Sequence, residues 1–508
     1  MIFDKLLALP SHATPWIVDH QPIIVAAHDD RIPARDVADA TARTATVLRN
    51  RGVAPGARCI VWLESPTDIV VAYTAIAALD AVPILISPTL SGPTLAAMVA
   101  EVAGITTFIA TGERSAEGRT LLPGLTHVDW REVAAELPAA ARFTRGPETR
   151  SAAPYVVVHT SGTTGVPKLV ECSSESIWFN ASVQAVIHWA SRMRGHIAFA
   201  LSPVHGRTIV GVLAVLMRRA PLMLIQHDDP DSVDRFLKRH RPTYLETHPN
   251  TFRAWQHLAP GGAFRSVRYF GAGFDVIHPD TVQALLKGSA HRLAAFFEVY
   301  GQNESGPVAF RATVKGAPRL RRRSLPKLTG GHPVGPRFPF CRVRILDESG
   351  GRVPAGRPGR IVVRTPGTFS GYINRPDLAS RNYPKGRWWD TGDWGSLSRL
   401  GLLTLIDREV DKVSAAASAI AVEDILLEQF PEVLELVLIE VDGVTLPVLS
   451  VRPGTQLRRE EFKRAAAAIA PLAEPVLIPD HEFPRTVTGK IKRQQLKDMV
   501  RRQLAAVS

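Results

Sequence analysis

Short apolar runs recur along the first half of the chain, at residues 59–63, 81–86, 106–110, 155–160, 197–201 and 222–225, each bounded by polar or turn residues. Runs of this length with no polar alternation predict strands buried on both faces. Between them, residues 34–52 and 65–79 repeat apolar side chains at helical spacing. Strands alternating with helices predict an α/β fold. After residue 330 the texture changes to short alternating runs, 342–346 and 359–364, cut by Gly and Pro, which predicts a β subdomain. Residues 401–413 lead into a last hundred residues with a pattern of their own: a helix near 422–430, strands near 434–440 and 445–451, and a helix near 459–470. The expected architecture is α/β: an N-terminal region of α/β subdomains plus a β subdomain over residues 1–407, and a small α+β domain over residues 408–508.

Length and composition narrow this little. At 508 residues the chain exceeds the roughly 150 of one ordinary domain, and 45% hydrophobic with 21% charged residues is a globular balance. Residues 69–86 come nearest to a membrane span, but Asp80 and Pro83 interrupt them, and the first ten residues lack a secretory pattern. Neither a membrane nor export is expected. Three cysteines, Cys59, Cys172 and Cys341, are too few for a disulfide framework, which fits a reducing cytoplasm. The net charge of +13 attracts phosphorylated molecules of any kind. Its arginines and lysines are scattered and its seven tyrosines form no stacking array, so nucleic acid is not expected. The run at 319–323 with Lys327 reads most simply as a solvated loop, with an anion-docking surface as the alternative.

The chemistry begins directly after the run at 155–159. Thr160, Ser161, Gly162, Thr163, Thr164 and Gly165, followed by Val166, Pro167 and Lys168, combine two glycines, hydroxyl donors and a cation. Such a loop can wrap the oxygens of a polyphosphate, although it lacks the Walker A pattern. Further motifs follow: Tyr300-Gly301-Gln302-Asn303-Glu304, then Asp390-Thr391-Gly392-Asp393, then Arg408, then a run from Pro484 to Lys490. No G-x-S-x-G elbow supplies a nucleophile, and Gly271-Ala272-Gly273 lacks the third glycine of a dinucleotide fingerprint.

In kind and order these motifs resemble the adenylate-forming superfamily of acyl- and aryl-CoA synthetases, peptide-synthetase adenylation domains and luciferases, over nearly the whole chain. The resemblance implies an AMP-forming ligase that uses ATP and Mg²⁺. It assigns the loop from Thr160 to Lys168, with Tyr300, to the nucleotide, Glu304 to the metal, Asn303 to the α-phosphate, and Asp393 and Arg408 to the ribose. It assigns Lys490, on a mobile C-terminal domain, to the reacting carboxylate and α-phosphate. His205, Arg207, Gly271, Gly273 and Gly301 are the expected substrate pocket, with Arg207 offering a charge to an anionic or strongly polar substrate group. The chemistry agrees, because attack of a carboxylate on phosphorus gathers negative charge that cations and aimed donors must meet.

The sequence departs from the superfamily where the second half-reaction is controlled. Val410, Ser414 and Ala417 stand where a hinge acid or lysine, a lysine and a glycine are usual, and residues 415–421 are rich in alanine. The leading expectation is adenylation of a small polar or aromatic acid with release of pyrophosphate, then transfer to the thiol of CoA or of an acyl carrier protein. The alternative is adenylation without a thioester: amide or lactone formation, or activation of nitrite to diazotise an aromatic amine, with Arg207 clamping a carboxylate on that amine. A nucleotide-binding homologue without catalysis is the remaining reading, which the presence of Lys490 and Glu304 opposes.

Overall fold

The computed structural model describes residues 2–9, 14–140, 143, 151–160, 166–317, 331–381, 388–408, 413–416, 418–452, 454–486 and 490–505. The fold is α/β, with two large mixed sheets, an antiparallel sheet and a small C-terminal sheet. In the seven-stranded sheet the order is Gly371–Tyr372, Leu169–Ser173, Pro154–His159, Val82–Leu85, Arg58–Trp62, Ile105–Ala110 and Thr126–Asp129. Pairing is parallel from Pro154–His159 onward, so crossover helices must cover the faces. The helix Pro66–Ala78 is buried along its whole length, with Ser65 capping it through Asp68 N and Pro66 in its first turn. This is why the apolar stretch after residue 69 reads continuously: it is a core helix turning into the strand Val82–Leu85.

The eight-stranded sheet runs Gly306–Val314, Ala295–Gln302, Tyr269–Ala272, Tyr244–Thr247, Ile197–Ala200, Leu222–Leu224, Trp16–Val18 and Arg31–Ile32. Its inner pairs are parallel, so the C-terminal ends of several strands open on one edge, where α/β folds place their ligands. The expected β subdomain is the five-stranded sheet His332–Pro336, Leu402–Arg408, Trp389–Leu397, Gly359–Arg364 and Arg342–Leu346, antiparallel throughout. The segment expected to lead out of it begins as its strand Leu402–Arg408, paired along Trp389–Leu397.

Beyond residue 413 the strands Val433–Val441, Val444–Val451 and Val476–Leu477 form their own sheet. Its two faces carry separate apolar clusters, centred on Phe462 with Leu426 and on Leu496 with Val448. The three cysteines are buried and form no disulfide. No helix among the described residues is long and apolar enough to cross a membrane.

Candidate active site

The strand Pro154–His159 ends at the base of the hydroxyl loop. Thr160 N donates to Lys168 O at 2.9 Å and Lys168 N donates to Thr160 Oγ1 at 3.0 Å, which closes that base. Ser161, Gly162, Thr163, Thr164 and Gly165 lie outside the described residues. Lys168 Nζ stands 5.2 Å from the ring centre of Tyr372, and the Tyr372 hydroxyl donates to Glu304 Oε1 at 2.6 Å. Lys168, Tyr372 and the buried Glu304 therefore form one assembly beside the loop. Among the described residues no group of three or more His, Cys, Asp or Glu could cage a metal ion. A single buried carboxylate beside the hydroxyl loop would suit Mg²⁺, which takes most of its ligands from phosphates and water.

A second wall of the site is made where two sheets meet. The Tyr300 hydroxyl donates to Asp393 Oδ2 at 2.6 Å, and Gln302 Nε2 donates to the same oxygen at 3.1 Å and to Thr391 O at 2.8 Å. Trp389 Nε1 in turn donates to Gln302 Oε1 at 3.1 Å. The buried Asp393 is thus held from the neighbouring sheet, and its own strand pairs it with Arg408. Asn303 Nδ2 reaches towards His159 O at 3.5 Å. Gly301 sits at a bulge where a Cβ would come within 2.4 Å of Gly306 O, so no side chain fits there.

His205 precedes the helix Gly206–Met217 and is buried in a group of aromatic rings. Its ring centre lies 6.1 Å from His159, 6.0 Å from His248 and 5.7 Å from Phe274. Burial, then the neighbouring His248 and His159, keeps the His205 imidazole well below its ordinary pKa. His159 is fixed at both nitrogens, accepting from Ser87 N at 3.1 Å and donating to Thr160 O at 2.9 Å. That pairing fixes its tautomer, with the proton on Nδ1. Burial pushes His248 down to about 4, with the Lys490 charge adding to the effect. Lys490 N donates to Thr486 Oγ1 at 3.1 Å and Thr486 N donates to Lys490 O at 2.7 Å, which ties the ends of the C-terminal loop together. A cleft of about 1440 Å³ between the large unit and the C-terminal unit is lined by Pro167, Phe274, Tyr300, Gln302, Asp393 and Lys490 among others.

Arg207 departs from expectation. Its Nε donates to Glu246 Oε1 at 2.7 Å and its Nη2 to Glu246 Oε2 at 2.5 Å, a bidentate pair, while Nη1 donates to Gln184 Oε1 at 2.5 Å. The Tyr244 hydroxyl donates to Glu246 Oε2 at 2.5 Å. Burial opposes the guanidinium charge and Glu246 overcomes it, so Arg207 stays protonated. The charge expected to stand open for an anion is already neutralised by a carboxylate of the chain itself, because a bare cation in so enclosed a place would be costly. Gly271 belongs to this cluster, since a Cβ there would lie 2.3 Å from the Tyr244 hydroxyl. A Cβ on Gly273 would meet only Val299 O at 3.6 Å, an ordinary contact.

Glu246, Tyr244, Gln184 and His248 carry no sequence expectation, and Gln302 stands in a motif without a role assigned to it. One signal was available for the first: Glu246 is the only charged residue in the apolar strand Tyr244–Thr247, and a buried lone carboxylate demands a partner. Val410 and Ala417 lie outside the described residues, as do residues 319–323 and Lys327. Ser414 N donates to Glu440 Oε2 at 2.5 Å.

Residues 18–373 match the family described as AMP-binding enzyme. The chain is 32% identical to 3-amino-2-hydroxy-4-methoxybenzoate diazotase of Streptomyces cremeus, over 98% of this chain and 95% of that protein. It is 25% identical to salicylyl-CoA synthase / salicylate adenylyltransferase of a Streptomyces species, over 97% and 94%. Among solved structures, ATP-bound MatB from Rhodopseudomonas palustris superposes with a TM-score of 0.80 at 21% identity, covering 98% of this chain and 99% of that one. The amide bond synthetase McbA from Marinactinospora thermotolerans gives 0.77 at 20% identity, with the same two coverages.

Proposed function

The chain belongs to the AMP-binding enzyme family, an adenylate-forming group, and on that premise we propose that it activates nitrite with ATP and diazotises an aromatic amine bearing a carboxylate. The single observation that carries this reading is the full-length 32% identity to a diazotase of an aminohydroxybenzoate. Nitrite oxygen attacks the α-phosphorus, pyrophosphate leaves, and the amine nitrogen then attacks the nitrosyl nitrogen of the mixed anhydride, releasing AMP. The resulting N-nitrosamine tautomerises and loses hydroxide to give the diazonium.

Each step has residues suited to it. The loop from Thr160 to Lys168 and Asn303 receive the phosphates, and Asp393, buttressed by Tyr300 and Gln302, receives the ribose. Glu304 would hold Mg²⁺, which neutralises phosphate charge during displacement. Lys490, carried on the unit we place from residue 408 onward, brings its ammonium to the reacting oxygens at the mouth of the cleft. The cluster of Arg207, Glu246, Gln184 and Tyr244 gives the substrate pocket both donors and acceptors beside His205, which suits a ring carrying several polar substituents.

Thioester transfer to CoA or a carrier protein is the second reading, favoured by the 25% identity to a salicylyl-CoA synthase. Incubating the enzyme with ATP, Mg²⁺ and an aminohydroxybenzoate, with nitrite or with CoA, separates the two by mass spectrometry. Diazonium and AMP formed only with nitrite support the first. An aryl-CoA formed without nitrite overturns it.

A further inference from the structure

We propose that His248 is the proton acceptor of the second half-reaction, taking the proton from the amine nitrogen as it attacks the adenylate. This rests on the reading of the chain as an enzyme that transfers an activated group to an amine. His248 occupies the turn between the strand Tyr244–Thr247 and the helix Pro249–Trp255. Its ring packs 4.5 Å from Phe274, a residue held at φ 73°, where a bulky side chain is strained, and 6.0 Å from His205. Phe274, Pro249 and Lys490 line the cleft, and His248 lies directly behind that wall, next to Pro249 in the chain and packed on the ring of Phe274.

Other bases near this end are committed. His159 is bonded at both nitrogens, Glu246 is paired with Arg207, Glu304 accepts from Tyr372, and Asp393 accepts from Tyr300 and Gln302. Of the cleft's other imidazoles, His278 accepts from Asp280 N at 3.3 Å and His332 faces Glu298 at 3.6 Å, while His205 is more deeply buried than His248. His248 makes no hydrogen bond to the described residues, and its Nδ1 is sealed from solvent without a partner. The titratable groups facing it are His205 and, from the C-terminal unit, Lys490. Because the lysine's charge adds to burial, the same ammonium that meets the forming adenylate also keeps His248 in its unprotonated form.

The step balances. The N–N bond forms as the N–O bond to AMP breaks, AMP leaves with the electron pair, and the N–H proton passes to Nε2 of His248 and on to solvent. The attacking amine becomes strongly acidic as its nitrogen takes on positive charge, so even a weak base suffices.

The test compares two rates in wild type and in His248→Ala: nitrite-dependent exchange of pyrophosphate into ATP, and single-turnover consumption of an aminohydroxybenzoate by preformed adenylate. The expected result is that the amine step falls about 10²-fold or more relative to exchange, the usual scale for a lost general base. Added imidazole should restore part of it, and His248→Gln should share the defect. An amine step and an exchange that fall together, or no rescue by imidazole, overturn the proposal. If wild type shows no nitrite-dependent exchange, the nitrite reading fails by itself, and the same ratio measured with whichever acid does exchange decides the role of His248.

Discussion

Arg253 and Glu435 fasten the C-terminal unit to the large one: Arg253 Nη2 donates to Glu435 Oε2 at 3.0 Å and its Nη1 to Leu434 O at 2.6 Å. The same carboxylate oxygen accepts from Arg485 Nη2 at 2.9 Å, on the segment that leads to Lys490. One half-buried carboxylate therefore couples the helix Pro249–Trp255 to the loop carrying the lysine. Arg253→Ala should lower pyrophosphate exchange at saturating ATP and expose the C-terminal unit to limited proteolysis, since it removes one of the two cations paired with that carboxylate. Unchanged exchange with an unchanged digestion pattern would refute that coupling.

The same contact sets an acid limit. Burial raises the Glu435 pKa, but Arg253 and Arg485 outweigh it and hold the carboxyl below its ordinary 4.5. A depressed carboxylate contributes in full above its unfolded pKa and loses its contribution as pH falls through the lower folded value. Docking of the C-terminal unit, followed by fluorescence or proteolysis, should therefore hold from pH 7 to about 5 and weaken below the ordinary glutamate range. Release that begins above pH 6 would contradict this.

Asp407 has the opposite sign. Burial raises its pKa to about 7, while Ala419 N donates to its Oδ2 at 2.7 Å and Oδ1 has no hydrogen-bond partner among the described residues. Between pH 4 and 7 the unfolded carboxyl is ionised and the folded one protonated, so this residue's contribution to stability declines as pH rises through that window and is level above it. Asp407→Asn should remove the decline and raise Tm at pH 8 relative to wild type, by differential scanning fluorimetry. A lower Tm at pH 8 in the variant would refute this.

Arg207→Leu and Glu246→Leu should each destabilise by about 3–5 kcal/mol through the charge left behind, and the double substitution should recover most of it. If the cluster also reads the substrate, the double variant should fold yet show a raised KM for the carboxylated amine. Its KM for the corresponding amine without a carboxylate should be little changed. A stable double variant with wild-type KM for both amines would make the pair a strut only.

Lys490→Ala should cut adenylate formation about 10²–10³-fold, because its charge is needed most as negative charge develops. Nucleotide affinity, read by calorimetry, should change little. Near-normal exchange in the variant would remove Lys490 from the chemistry.

The sequence made strands such as Arg342–Leu346 and Gly359–Arg364 visible because short runs with β-branched residues are set between Gly and Pro turn residues. It also displayed Lys168, Glu304, Asp393 and Lys490, each at a fixed offset inside a motif. What it could not display are partnerships between distant positions. Arg207 meets Glu246 across 39 residues and Arg253 meets Glu435 across 182, and neither separation leaves a local pattern. The misreading of Arg207 as an open charge follows directly: its sequence neighbours are known, while its neutralising carboxylate is supplied by the adjacent strand Tyr244–Thr247. The sequence is silent on His248 for the same reason, since its surroundings are the rings of His205 and Phe274, distant in the chain.

The burial of the three cysteines bears on self-protection. A nitrosyl adenylate is an electrophile that thiolates attack readily, and a thiol reacts only in so far as it ionises. Burial raises the pKa of Cys59 to about 11, and those of Cys172 and Cys341 to about 12, with the carboxylate of Glu304 reinforcing the effect on Cys172. At neutral pH these sulfurs are un-ionised and enclosed, Cys172 even though it adjoins Glu304. Under the proposed reaction, a nitrosating species formed in the cleft would therefore meet the amine substrate and no thiolate of the chain itself.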